Sequence, residues 1–116
     1  MITFILEGRI PSKKNSKIIT RHGLISSAKY REWEDTQLWL LPNISSPVKK
    51  CEIEIIFTFP DLRSADLTNK AESIMDLLVK GGILLDDSWQ VVNKVTLISK
   101  GCKKLKPIVE ITINEN

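Results

Sequence analysis

At Pro60 the hydrophobic period of this chain changes. Before it, Cys51, Ile53, Ile55, Phe57 and Phe59 alternate with Glu52, Glu54, Ile56 and Thr58, the period of two that a half-buried strand requires. After it, Leu67, Ala71, Ile74, Met75 and Leu78 recur at helical spacing, which puts them on one face of a helix over 68–80. Pro60 ends the strand because it has no N–H to give a ladder. Gly81-Gly82 ends the helix, since glycine readily takes the left-handed conformation of a helix stop. Trp89, Val91, Val95 and Leu97 then predict a strand over 89–98. If the two strands share a sheet, they form a parallel, right-handed crossover through the helix.

Acids bracket that helix. Asp66 stands at its head and Asp86-Asp87 just past its stop. Glu72 and Asp76 lie four apart on the side away from the apolar face. The crossover is expected to bring both acidic ends towards one edge region. Clustered there, the carboxylates would repel one another, and a divalent cation would offset that cost; Mg²⁺ favours a few carboxylates plus waters. The plain alternative is that these acids cap and solvate the helix, with Asn69-x-x-Glu72 as a capping-box-like start and Asp86-Asp87 as a turn.

The rest of the chain supplies the other layers. Ile2, Phe4 and Leu6 predict a strand over 2–8, and a proline-broken, lysine-rich loop follows from Arg9 to Lys17. Runs at 17–20 and 24–26 flank Arg21-His22-Gly23 and predict a hairpin. Ser26 or Ser27 offers an N-cap to a helix over 28–41, whose apolar positions Tyr30, Trp33, Leu38, Leu40 and Leu41 are imperfectly spaced. Trp33 and Trp39 can stack on bases, although core or interface is the commoner place for such side chains. Val109, Ile111 and Ile113 predict a last strand, forming a hairpin with its predecessor through the basic turn at 100–104. The expectation is one α+β domain over 1–116: a mixed β-sheet with two main helices, in the order β-ββ-α-β-α-β-β. A chain of 116 residues holds one core and not two comfortable ones.

Several classes are excluded. No apolar run approaches the ~20 residues of a membrane span. The start, MITFILEG, lacks the basic n-region of a signal peptide, so a cytoplasmic protein is expected. Cys51 and Cys102 have no metal-motif spacing and are expected to be reduced. His22 has no partner for a zinc or catalytic role, and there is no Walker-type glycine pattern for a nucleotide cofactor. Net charge is only +3, but seven of the first 31 residues are Lys or Arg against one acid, and 88–109 holds five lysines and no acid. A basic surface around an acidic centre suits a polyanion-binding protein with a metal site; solvated lysine loops are the plain alternative. In the loop after Arg9, Lys13, Lys14, Asn15 and Lys17 can wrap a phosphate.

The ordered set Pro11-Ser12-Lys13-Lys14-Asn15, Pro60-Asp61, Asp66-Leu67-Thr68-Asn69, Asp76-Leu77-Leu78 and Asp86-Asp87 before Val91-Val92 resembles the RusA family of endodeoxyribonucleases, which cut Holliday junctions. That family's pattern is Asp-x-Asp-Asn, a helix containing a further Asp, and Asp-Asp about twenty residues on; here Asp66 and Asp87 are 21 apart. The resemblance covers most of the chain. It implies a homodimer that uses Mg²⁺, with Mn²⁺ as the alternative, to nick opposed strands of four-way junctions in recombination and repair. Asp66 and Asp87 correspond to metal-binding catalytic acids, with Asp86 assisting. Thr68 departs from the pattern, standing where the second aspartate often is. Glu72, where some members carry a functional lysine, is taken to supply the missing carboxylate, with Asp76 in reserve and Lys70 nearest to replacing the lysine. Lys13, Lys14, Asn15, Lys17, Arg63 and Lys70 are the expected DNA contacts. Thr68 leaves a second expectation open, a branched-DNA-binding protein with weak or no cutting. A third is a lysine-surfaced interaction domain without DNA affinity.

Overall fold

The computed structural model describes residues 1–12, 17–20, 23–62, 64–103 and 107–116, with 17–20 and 23–26 followed by their backbone alone. The elements are β1 (Ile2–Glu7), β2 (Lys17–Thr20), β3 (Gly23–Ser26), α1 (Ala28–Leu40), β4 (Cys51–Phe59), α2 (Leu67–Lys80), β5 (Val92–Cys102) and β6 (Ile108–Glu115). The α+β expectation therefore holds. A four-stranded mixed sheet has the order β1-β6-β4-β5, and β2 and β3 form a separate two-stranded hairpin.

β4 lies parallel to β5 and antiparallel to β6, so β4, α2 and β5 form the expected crossover. The expected hairpin between the last two strands is not formed. β6 instead inserts antiparallel between β1 and β4. Burial decides the order. Val109, Ile111 and Ile113 are almost completely buried and need a strand on each side, whereas β5 exposes most of its residues and carries Lys94 and Lys100 at the sheet edge, where lysine discourages further pairing. β5 also starts later than expected. Val91 and Val92 donate backbone N–H groups to the Ser88 carbonyl in a turn, and Trp89 is 79% exposed there.

One face of the sheet presents Leu6, Ile53, Ile55, Phe57, Ile111 and Ile113 to Ile74, Leu77 and Leu78 of α2. Burying each such side chain contributes roughly 1.5–3 kcal/mol. α2 starts on Asp66 and not on the Asn69–Glu72 pair. It stops at Gly81 and Gly82, the latter at φ +75°, where a Cβ would be strained.

α1 runs alongside α2 in the same direction. Tyr30 meets Ser73, Lys80 Nζ donates to Glu34 Oε1 at 2.8 Å, and Leu41 packs against Gly81. Its inner stripe is polar: Tyr30, Glu34 and Gln37 are buried while Trp39 and Leu40 are 88% and 67% exposed. Trp33 is half-buried with its ring 5.6 Å from that of Tyr30, so it belongs to the seam between the helices.

Candidate functional site

The head of α2 is where charged groups from three parts of the chain converge. The Asp66 side chain accepts from the backbone N–H of Thr68 at 3.0 Å and of Asn69 at 3.4 Å, and from the Thr68 hydroxyl at 2.6 Å. This is helix capping, favoured because the first N–H groups of a helix have no partner within it. Thr68 is thus tied to the acid it follows.

The segment Gly8–Ser12 crosses this head and is fastened to it. Lys70 Nζ donates to the Ile10 carbonyl, and Ser73 Oγ to the Pro11 carbonyl at 2.7 Å. Residues 70 and 73 are one helical turn apart, so one side of α2 grips two consecutive carbonyls. Burial, with Arg9 nearby, pulls the Lys70 ammonium below its ordinary pKa. Arg9 Nη2 donates to Asp61 Oδ2 at 3.0 Å across the mouth, an exposed pair worth little to stability. Between this strap, the ends of β4 and β6 and the first turn of α2 lies a cavity of about 190 Å³ whose walls include Arg9, Phe59, Asp61, Asp66, Asn69 and Lys70.

The other acids lie elsewhere. Asp86 and Asp87 are exposed beyond the far end of α2. That end is held by a bridge between Val48 and Leu84 and by the Leu85 N–H on the Val48 carbonyl, just ahead of β4. A helix of 14 residues separates them from Asp66, about 21 Å along its axis. The expectation that the crossover gathers both acidic ends at one edge is therefore corrected. A crossover helix runs back antiparallel to its strands, so its two ends lie at opposite ends of those strands. Glu72 is exposed on α2, roughly 9 Å of helix rise from Asp66. Asp76 is half-buried and turned to Lys80, 3.9 Å away. Among the described residues, no three His, Cys, Asp or Glu side chains come together as a metal-binding group. One copy of the chain does not assemble the Asp66, Glu72, Asp87 set.

Lys70 is a strap anchor in this geometry. Lys13, Lys14, Asn15 and Arg63 lie outside the described residues, as does the side chain of Lys17. The sequence reading missed Ser73 and the Arg9–Asp61 pair. Ser73 carried a signal, a small polar residue among the apolar positions of an amphipathic helix. Arg9–Asp61 links residues 52 apart, and no local pattern announces it. Both cysteines are free, and burial raises the Cys51 thiol. Among the described residues no helix is long and apolar enough to cross a membrane. No family model matches the chain, and no curated protein matches it.

Proposed function

We propose that the protein is a metal-dependent endodeoxyribonuclease that nicks branched DNA, four-way junctions above all, as a homodimer in the cytoplasm. The observation that carries the reading is Asp66 standing at the head of a crossover helix, in the wall of a cavity that Arg9 also lines, within an ordered motif that resembles the RusA family. A bound Mg²⁺ or Mn²⁺ would lower the pKa of a water and offset charge on the phosphate. Because Asp66 and Asp86-Asp87 lie at opposite ends of α2, a shared centre draws Asp66 from one copy and Asp86-Asp87 from its partner. A two-fold dimer makes that exchange twice, giving two cutting centres for two opposed strands. Glu72, exposed a turn and a half along α2, is available to such a centre. Lys13, Lys14, Asn15, Lys17 and Arg63 supply phosphate contacts, so DNA affinity falls steeply with salt.

Asp66→Asn and Asp87→Asn should each abolish cutting of a labelled four-way junction in Mg²⁺ while leaving binding intact. Mixing the two variants should restore part of the activity, because a mixed dimer holds one complete centre. Single variants that cut at the wild-type rate would sink the acid assignment, and mixing without recovery would sink the shared centre.

A second reading is a branched-DNA-binding protein that no longer cuts. The separation of the acids and the Thr68–Asp66 hydrogen bond favour it. It predicts junction binding without nicks in Mg²⁺ or Mn²⁺ and makes Thr68→Asp the variant that regains cutting.

A further inference from the structure

We propose that the cavity at the head of α2 receives one unstacked nucleobase of the bound DNA. This deepens the reading above and rests on it for the identity of the strand. Size is the first consideration. A single water needs only about 10–15 Å³ of cavity space, so a cavity of about 190 Å³ is large enough to admit a planar ring system.

The wall is the second. Phe57 and Phe59 project from the same face of β4, with ring centroids 5.9 Å apart and planes inclined by only 5°. Phe57 is buried and Phe59 half-buried. Both rings line the cavity, so together they give it an apolar aromatic plate against which a planar ring can pack. A free phosphate or a metal ion gains nothing from such a plate.

The rim is the third. Asn69 brings an amide that both donates and accepts, which matches the mixed edge of a base. Arg9, paired with Asp61, and Lys70, held on the Ile10 carbonyl, share that rim with Asp61 and Asp66, so the charges there offset one another and the cavity suits a neutral base better than a phosphate. Pulling a base out of a duplex costs stacking and pairing, least where the strand is already unpaired. A pocket filled only by an unstacked base therefore rewards a branch point over continuous duplex, and it does so beside Asp66, which lines the same cavity.

The test needs neither metal nor cleavage. The metal-free protein is titrated by amide NMR with deoxycytidine and deoxyadenosine, and separately with inorganic phosphate. Nucleosides should shift the amides of Ser64, Asn69 and Ile108. Phe59→Leu should weaken that binding about tenfold or more, and Phe59→Tyr should retain it. Shifts with phosphate alone, nucleoside shifts elsewhere on the surface, or equal affinity in Phe59→Leu would overturn the proposal. Nucleoside binding at the cavity of a protein that never nicks a junction would sink the nuclease reading and keep the pocket. Nicking without nucleoside shifts would do the reverse.

Discussion

Asp66 holds two jobs in this interpretation, capping α2 and serving the cutting centre, and substitution separates them. Asp66→Ala removes the acceptor of two backbone N–H groups and of the Thr68 hydroxyl. Loss of an N-cap costs about 1 kcal/mol, and the lost negative charge at a helix N-terminus adds roughly 0.3–1 kcal/mol at a surface position. Asp66→Asn loses the charge but keeps an oxygen in the capping position, so its cost is about 0.5 kcal/mol. For 116 residues the unfolding entropy is about 0.24 kcal/mol/K, which makes 1 kcal/mol about 4 °C in Tm. Calorimetry should therefore find Asp66→Ala about 6 °C below wild type and Asp66→Asn about 2 °C below it. Both variants should be inactive on junctions. Equal Tm losses in the two would refute the capping argument. A stable Asp66→Asn that cuts at the wild-type rate would reduce Asp66 to a cap.

Burial, reinforced by Asp76, Glu34 and Glu72 and opposed by the neighbouring Ser73 hydroxyl, pushes the Tyr30 hydroxyl up to about 12 from 10.0. Its contribution to stability is intact below pH 10 and is lost as pH rises through 12, an effect of roughly 2–3 kcal/mol; urea midpoints at pH 9 and 11.5 should record it. Lys80, held protonated above its ordinary range by its hydrogen bond to Glu34, is lost in the same alkaline direction. Tyr30→Phe should therefore shrink the slope by more than half without abolishing it. Ser73→Ala leaves the Pro11 carbonyl unpaired beside a fully buried position. It should cost about 1–3 kcal/mol and speed amide exchange at Arg9, Ile10 and Ser12 while β4 keeps its protection. A Cβ on Gly81 would lie 2.3 Å from Leu41 Cδ1, the end of a half-buried side chain that has to shift, and 3.2 Å from the Leu77 carbonyl, so Gly81→Ala should lose about 1 kcal/mol by overpacking. Gly82→Ala should lose a similar ~1–2 kcal/mol through its left-handed φ, which asparagine relieves at 82 and not at 81.

The crossover was legible because its two periods are strong and Pro60 and Gly81-Gly82 mark where they change. α1 was legible in extent but not in orientation. It buries Tyr30, Glu34 and Gln37 against α2, a polar stripe that an apolar count cannot find, and it leaves Trp39 and Leu40 in solvent. Strand pairing was the least legible part. β5 and β6 read as a hairpin because they are consecutive, yet pairing follows the number of buried faces and edges. A strand as apolar on one face as β6 is worth more between two neighbours than at a rim. The Lys70 and Ser73 grip on the strap joins residues 60 or more apart and leaves no local trace.

The spacing of the acids illustrates how a correct pattern can carry a wrong geometry. Asp66 caps α2 and Asp86-Asp87 follows its glycine stop, so the 21-residue interval is the length of one helix with its two ends. Any crossover of this length has that interval. It also has its ends at opposite ends of the strands, because the helix must return the chain to where the parallel strand begins. The interval thus measures the crossover and says nothing about whether the acids meet. Acids that cooperate from these positions have to do so between copies. The decisive experiment is therefore the mixing of two inactive variants, whose recovery no single-chain centre can produce.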